Sequence, residues 1–295
     1  MRRHPWLVVG VLCLLAIVAG GTVAGFLVAG GDDVPATAAT VAPANDPPAA
    51  RAAEGPPYRL FVGQVARDDL LRLVIGGLAT DRSAPERLRL WVGGDSTSVY
   101  MGAALAAAAR AGGGSVAGEK YTISSGLSRP DFFDWPSHVT AEVERTNPNV
   151  VVLMVGANDA QGMTSADGRV VSSSALSAEW KAEYARRVAA VMEGVSAPGR
   201  LVVWVGQPVM GPSDYNERMR ALSAIFREQA AAHPGVVYFD SYALFAEGSG
   251  QYQVSLGSVT MRTSDGIHFT TQGGAYLADA ILAEIRARKE LEIDG

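Results

Sequence analysis

The sequence is short of cysteine, of histidine and of clustered positive charge, and each shortage removes a class of chemistry. The one cysteine, Cys13, lies inside an apolar N-terminal stretch. The rest of the chain therefore has no disulfide, no thiolate metal site and no cysteine nucleophile. A domain of this size reaches stability without disulfide staples, so their lack does not argue against export. After Arg2 and Arg3 no Lys/Arg cluster or basic stripe occurs, and the formal net charge is −5. Non-specific nucleic-acid binding rests on phosphate neutralisation, so no nucleic-acid partner is expected. The same balance argues against lying flat on anionic lipid.

What is present begins with residues 6–31, a run without a single charge. About 20 apolar residues span a bilayer as a helix, whereas a signal peptide has a shorter apolar core. A transmembrane signal-anchor over 6–31 is therefore expected, after a cytoplasmic segment 1–5. Arg2 and Arg3 precede the run and Asp32 and Asp33 follow it, which puts the rest of the chain outside the cell membrane. The alternative is a secreted form cut near the ATAAT of residues 36–40. Residues 32–57 are rich in Ala, Pro and Thr and read as a disordered tether.

From residue 58 to 295 the pattern is that of one folded domain. Residues 64–79 are expected to be helical. Strands are expected at Leu88–Val92, Val116–Ile123, Val150–Val155, Leu201–Gly206 and Val236–Asp240. Helices are expected at about 98–111, 136–146, 176–194, 214–232 and 272–289. Alternation of this kind predicts a three-layer α/β/α sandwich around a mainly parallel sheet of about five strands. Sites in such folds lie at the carboxyl ends of the strands.

Polar motifs fall at those ends. Gly94-Asp95-Ser96 follows the first strand and opens a helix, where backbone amides stabilise negative charge. Ser125-Gly126-Leu127-Ser128 follows the second, and a glycine there brings its N–H close to a substrate oxygen. Gly156-Ala157-Asn158-Asp159 follows the VVVLMV run, placing an uncharged amide donor at a strand end. Asp265-Gly266-Ile267-His268 lies before the last helix. A serine nucleophile needs a base, histidine is the usual one, and a nearby Asp fixes its tautomer. Of four histidines, His4 precedes the apolar run, His138 suits the surface and His233 ends an Ala-rich helix before Pro234. Only His268 has an acidic residue at short spacing together with a loop context. Each motif has a plain reading beside this one: Ser96 as a helix cap, Asn158-Asp159 and Asp265-Gly266 as turns.

Taken together, GDS (94–96), Gly126, GAND (156–159) and DGIH (265–268) resemble, in order and spacing, the four blocks of SGNH hydrolases, the GDSL-type esterases and lipases. The resemblance covers about residues 86–289, and SGLSRPDFFDWP (125–136) with WVGQPVM (204–210) is similar to a bacterial subfamily. One departure is Thr97, which stands where the family has Leu. The resemblance implies a flavodoxin-like sheet, Ser96 as nucleophile, His268 as base and Asp265 as its orienting acid. It implies an oxyanion hole from Gly126, Asn158 and the Ser96 amide, and no metal or organic cofactor. Arg129, Asp131 and Asp159 are candidate substrate contacts, with a surface ion pair as the alternative for the first two. Arg262 is a candidate partner of Asp265 or of a substrate anion. Trp135, Trp204 and Tyr215 are candidates for a sugar-binding wall, although Trp204, inside a strand, suits the core better. The loops 160–178 and 246–264 are expected to wall the cleft. The implied activity is hydrolysis of acyl esters, on a small molecule or an envelope polysaccharide. The alternatives are an O-acyltransferase with the same triad and a non-catalytic glycan-binding protein.

Overall fold

The structure is a computed structural model that describes residues 86–246, 249–289 and 291–292. The expected segments at 1–5, 6–31 and 32–57 and the expected helix at 64–79 lie outside these residues. Among the described residues no helix is long and apolar enough to cross a membrane.

Five parallel strands form the central sheet: β1 (Arg89–Gly94), β2 (Ser115–Tyr121), β3 (Val150–Met154), β4 (Leu201–Val205) and β5 (Val236–Phe239), in the order β2-β1-β3-β4-β5. The helices are α1 (Val99–Ala111), α2 (Trp135–Thr146), α3 (Ala178–Val195), α4 (Ser213–Ala232), the short α5 (Ser241–Phe245) and α6 (Thr271–Arg288). Their caps are local: Asp134, Ser177, Asp240 and Thr270 each accept from a first-turn amide, which satisfies donors the helix itself leaves free.

Strand order explains the layers. The chain steps from β1 to β2 in one direction, then crosses back past β1 to β3 and continues the other way. Crossovers of constant hand place helices on opposite faces for opposite steps. Accordingly α1 packs with α6 on one face, against Leu90, Val92, Val150, Val152 and Val203. On the other face α2, α3 and α4 cover Trp91, Val151, Leu153, Val202 and Trp204. Alternate residues of one strand thus serve two cores, and β3 and β4 are buried at every position. That is why both read as unbroken apolar runs.

The reversal of direction leaves a crevice between the carboxyl ends of β1 and β3, the switch point where such sheets bind ligands. Elements too short for periodicity complete the chain. They are the strand pairs Met163–Thr164 with Val170–Ser172 and Ser255–Leu256 with Val259–Thr260, and the pairing of Glu86–Arg87 with Leu291–Glu292.

Candidate active site

Ser96 opens a short 3-10 turn, Ser96–Ser98, between β1 and α1. Asp95, not Ser96, caps this turn, accepting from the Thr97 amide. The Ser96 hydroxyl instead meets His268 Nε2 at 2.9 Å. On the other side of the ring, His268 Nδ1 lies 2.6 Å from Asp265 Oδ2. Asp265 is held by the Thr263 hydroxyl and by the amides of Ile267 and His268, all on Oδ1. Partial burial pushes its pKa up, but the bonds from His268, Thr263 and those amides outweigh it and hold the carboxyl well below its ordinary value. An ionised Asp265 accepts from Nδ1–H, which leaves Nε2 as the acceptor for the serine proton.

The block glycines and aspartates bring the loops together. Asp95 is fully buried: Oδ1 accepts from the amide and hydroxyl of Thr97, and Oδ2 from the amides of Gly156 and Ala157, each at 2.9 Å. Burial pushes its carboxyl up and these four donors oppose that. One carboxylate thus ties the turn after β1 to the loop after β3. Asp159 does the same for the loop after β2. Its oxygens accept from the amides of Leu127 and Ser128 and from the Tyr184 hydroxyl. A side chain at Gly126 would run into that carboxylate, so only glycine lets the two loops close this far. Asn158 Nδ2 reaches Ser125 O at 3.0 Å, beside Gly126. The amides of Ser96 and Gly126 have no backbone acceptor among the described residues.

The cleft over Ser96 has a volume of about 270 Å³. Ser96, His268 and Asn158 line it together with Ala157, Ala160 and Ile267, and Tyr215 and Arg218 stand on the α4 side. The Tyr215 hydroxyl donates to Ala157 O, pinning α4 to the loop after β3. Burial and the charges of Asp95, Asp159 and Asp265 push its pKa up, keeping it a neutral donor.

Several expectations need correction. Asp159 has no solvent exposure and both its oxygens are occupied, so it braces a loop and does not touch substrate. Arg129 and Asp131 form a bidentate pair with each other, at 2.9 and 2.8 Å, and neither lines the cleft. Trp135 and Trp204 are core residues, 1% and 0% exposed; of the three aromatic candidates only Tyr215 lines the cleft. Of loop 160–178 only Ala160 lines it. Ser165 and Val171 instead border a separate groove with Phe133 and Arg186. Among the described residues, loop 246–264 contributes no wall.

That loop supplies a different component. Arg262 does not ion-pair with Asp265. Its buried guanidinium bonds Ile267 O at 2.7 Å, touches Met210 Sδ and lies 4.6 Å from the Phe269 ring centroid. Burial lowers its pKa to about 10, so it stays charged at neutral pH. The WVGQPVM segment runs into the same support, since the Gly211 amide donates to Gly266 O at 2.9 Å. Sequence reasoning missed the role of Asp95 and gave Arg262 the wrong partner. Nothing in a GDS triplet marks its Asp as a two-loop tie, and Arg262 acts through contacts 5 and 52 residues away. His138 and His233 play no part: the first packs on Phe133, and the second meets Gln229 O at the end of α4.

Fold and site together define an α/β sandwich with a Ser-His-Asp series at the carboxyl edge of its sheet. The chain belongs to the SGNH-like family described as Protein of unknown function (DUF459), whose pattern matches residues 89–284. No curated protein matches the sequence. Among solved structures, the chain is similar to an α/β hydrolase from the metagenome of Lake Arreo, Spain, at 17% identity, 68% coverage of this chain, 95% of that one and a TM-score of 0.49. It is similar to a catalytic mutant of an acetylxylan esterase from Geobacillus stearothermophilus at 14% identity, 68% and 95% coverage and a TM-score of 0.49. It is also similar to the catalytic domain of peptidoglycan O-acetyltransferase A from Streptococcus pneumoniae at 16% identity, 69% and 95% coverage and a TM-score of 0.44.

Proposed function

We propose that this protein is a serine esterase that removes a short acyl group, such as acetyl, from an envelope polysaccharide outside the cell membrane. One observation carries the proposal: the unbroken series Asp265–His268–Ser96, at 2.6 and 2.9 Å, opening into a cleft. In this reading His268 Nε2 takes the Ser96 proton as Oγ attacks the ester carbonyl. The oxyanion is met by the Ser96 and Gly126 amides and by Asn158 Nδ2. His268 then gives its proton to the departing alcohol, leaving an acyl-enzyme. It next takes a proton from water as that water attacks the acyl carbonyl, and passes it to Ser96 Oγ as the acyl–Oγ bond breaks and the acid leaves. Asp265 keeps the ring in the working tautomer and stabilises it when charged. Small side chains on the cleft, Ala157 and Ala160, favour a short acyl group. The location outside the membrane is supported by the uncharged run at 6–31 and its flanking charges.

The test is hydrolysis of p-nitrophenyl acetate, with labelling by a fluorophosphonate, for the full chain and for Ser96→Ala. Activity and adduct in the parent, both lost in the variant, are expected. Equal rates in the two, or no adduct on Ser96, would overturn the reading. Transfer of acetyl to an added glycan in preference to water would make the protein an acyltransferase instead.

A further inference from the structure

The cleft has one cation without a role in the chemistry above. Arg218 lines it from α4, is exposed, and makes no hydrogen bond or ion pair among the described residues. Several other surface arginines, Arg110, Arg129, Arg145, Arg186 and Arg227, do reach a carboxylate. Its nearest rival partner by spacing is Asp214, four residues earlier on α4, an arrangement worth only ~0.5 kcal/mol on a helix surface. The two are not within ion-pair distance, and Asp214 accepts from Ser213 instead. Tyr215, one turn before Arg218 and on the same helix face, fixes this part of α4 through Ala157 O. Arg218 therefore projects from a firmly placed turn. The cleft lining contains no carboxylate, although the chain as a whole is acidic. A guanidinium matches the two oxygens of a carboxylate or phosphate bidentately. The start of α4 opens on the same sheet edge and adds positive potential.

We infer that Arg218 makes this cleft selective for esters that carry an anionic group, carboxylate or phosphate, on the same molecule. The substrate class would then be an acylated acidic glycan. The inference rests on the esterase reading and adds the charge of its substrate.

The test compares matched esters: 4-acetoxybenzoate with its neutral methyl ester, 4-acetoxyphenyl phosphate with its dimethyl ester, and, for an anion on the acyl side, phenyl hydrogen succinate with methyl phenyl succinate. The readout is the ratio of kcat/KM, anionic over neutral, within each pair. For at least one pair the parent's ratio should exceed that of Arg218→Gln by roughly 3- to 10-fold, and Arg218→Glu should lower it further. Arg218→Lys should keep part of the preference, and Asp214→Asn should not reduce it. The advantage should shrink as salt rises from about 10 mM to about 1 M. Which pair responds separates carboxylate from phosphate, and the alcohol side from the acyl side. Ratios unchanged by Arg218→Gln in all three pairs would overturn the inference and leave the esterase reading intact. Failure of the parent to cleave any of the esters would overturn the esterase reading, and the inference with it.

Discussion

Replacing Asp95 by asparagine tests whether one buried carboxylate holds the nucleophile turn against the loop after β3. The carboxylate accepts four hydrogen bonds, two on each oxygen. Asparagine keeps the shape but offers one oxygen and one NH₂ group. The cheaper orientation leaves the oxygen with Gly156 and Ala157, whose amides cannot reverse, and turns NH₂ towards Thr97. There the hydroxyl rotates to accept, but the Thr97 amide is stranded. A buried donor left unpaired costs ~1–3 kcal/mol. The two surviving bonds also lose the charge that strengthened them, while the buried charge itself is removed. The net expectation is about 2–4 kcal/mol of lost stability, within the ~5–15 kcal/mol of a typical domain. The fold should survive. With a urea slope of roughly 2–3 kcal/mol per molar, the unfolding midpoint should fall by about 0.7–2 M at unchanged slope. Fluorophosphonate labelling of Ser96 should slow in the folded variant, because the turn that presents its hydroxyl is loosened. A midpoint within about 0.2 M of the parent's, with unchanged labelling, would refute the reasoning.

Asp265→Asn should lower kcat for p-nitrophenyl acetate on the order of 10³- to 10⁴-fold with little change in KM, since the wrong tautomer blocks the serine proton. Arg262→Met should leave the urea midpoint close to the parent's, because it removes a buried cation two of whose nitrogens lack partners. It should nonetheless cut kcat by about 10-fold with KM nearly constant, as the Ile267 carbonyl loses its brace under His268; unchanged kcat would make Arg262 a packing residue only. Acid should weaken the fold through carboxylates that are harder to protonate folded than unfolded. Glu183, brought down from 4.5 to about 2 chiefly by its bond to Arg186 and then by Arg187, and Asp265, also lowered, are two of these. In the window where the unfolded chain has taken up protons and the folded one has not, stability drops as pH falls. It should be full above about pH 4.5 and lost progressively towards about pH 2, as read by urea midpoints across that range, with a shallower loss in Glu183→Gln.

The sequence by itself determined the class of fold and the chemistry it is expected to carry. The VVVLMV and LVVWV runs are apolar at every position because both faces of a central parallel strand are covered, and that signal is local. The helices follow from their periodicity and caps, and the strand-end placement of Ser96, Gly126, Asn158 and His268 follows from the βα alternation. Histidine scarcity left His268 as the one suitable base. Only the tertiary structure decided what bonds to what across long stretches of chain. Ser96 and His268 stand 172 residues apart and meet at 2.9 Å. Asp95 and Asp159 look like ordinary turn residues, yet each is buried and accepts amides from a loop 31 to 62 residues away. Arg129 and Asp131, a few residues after the block glycine Gly126, pair with each other. Arg218 carries no motif and enters the cleft only because Tyr215 and Ala157 hold α4 against it. Hydrophobic period and turn chemistry act over a few residues, so a sequence displays them directly. Burial of a polar group and the absence of a partner depend on which distant elements close over it, and those exist only once the chain has folded.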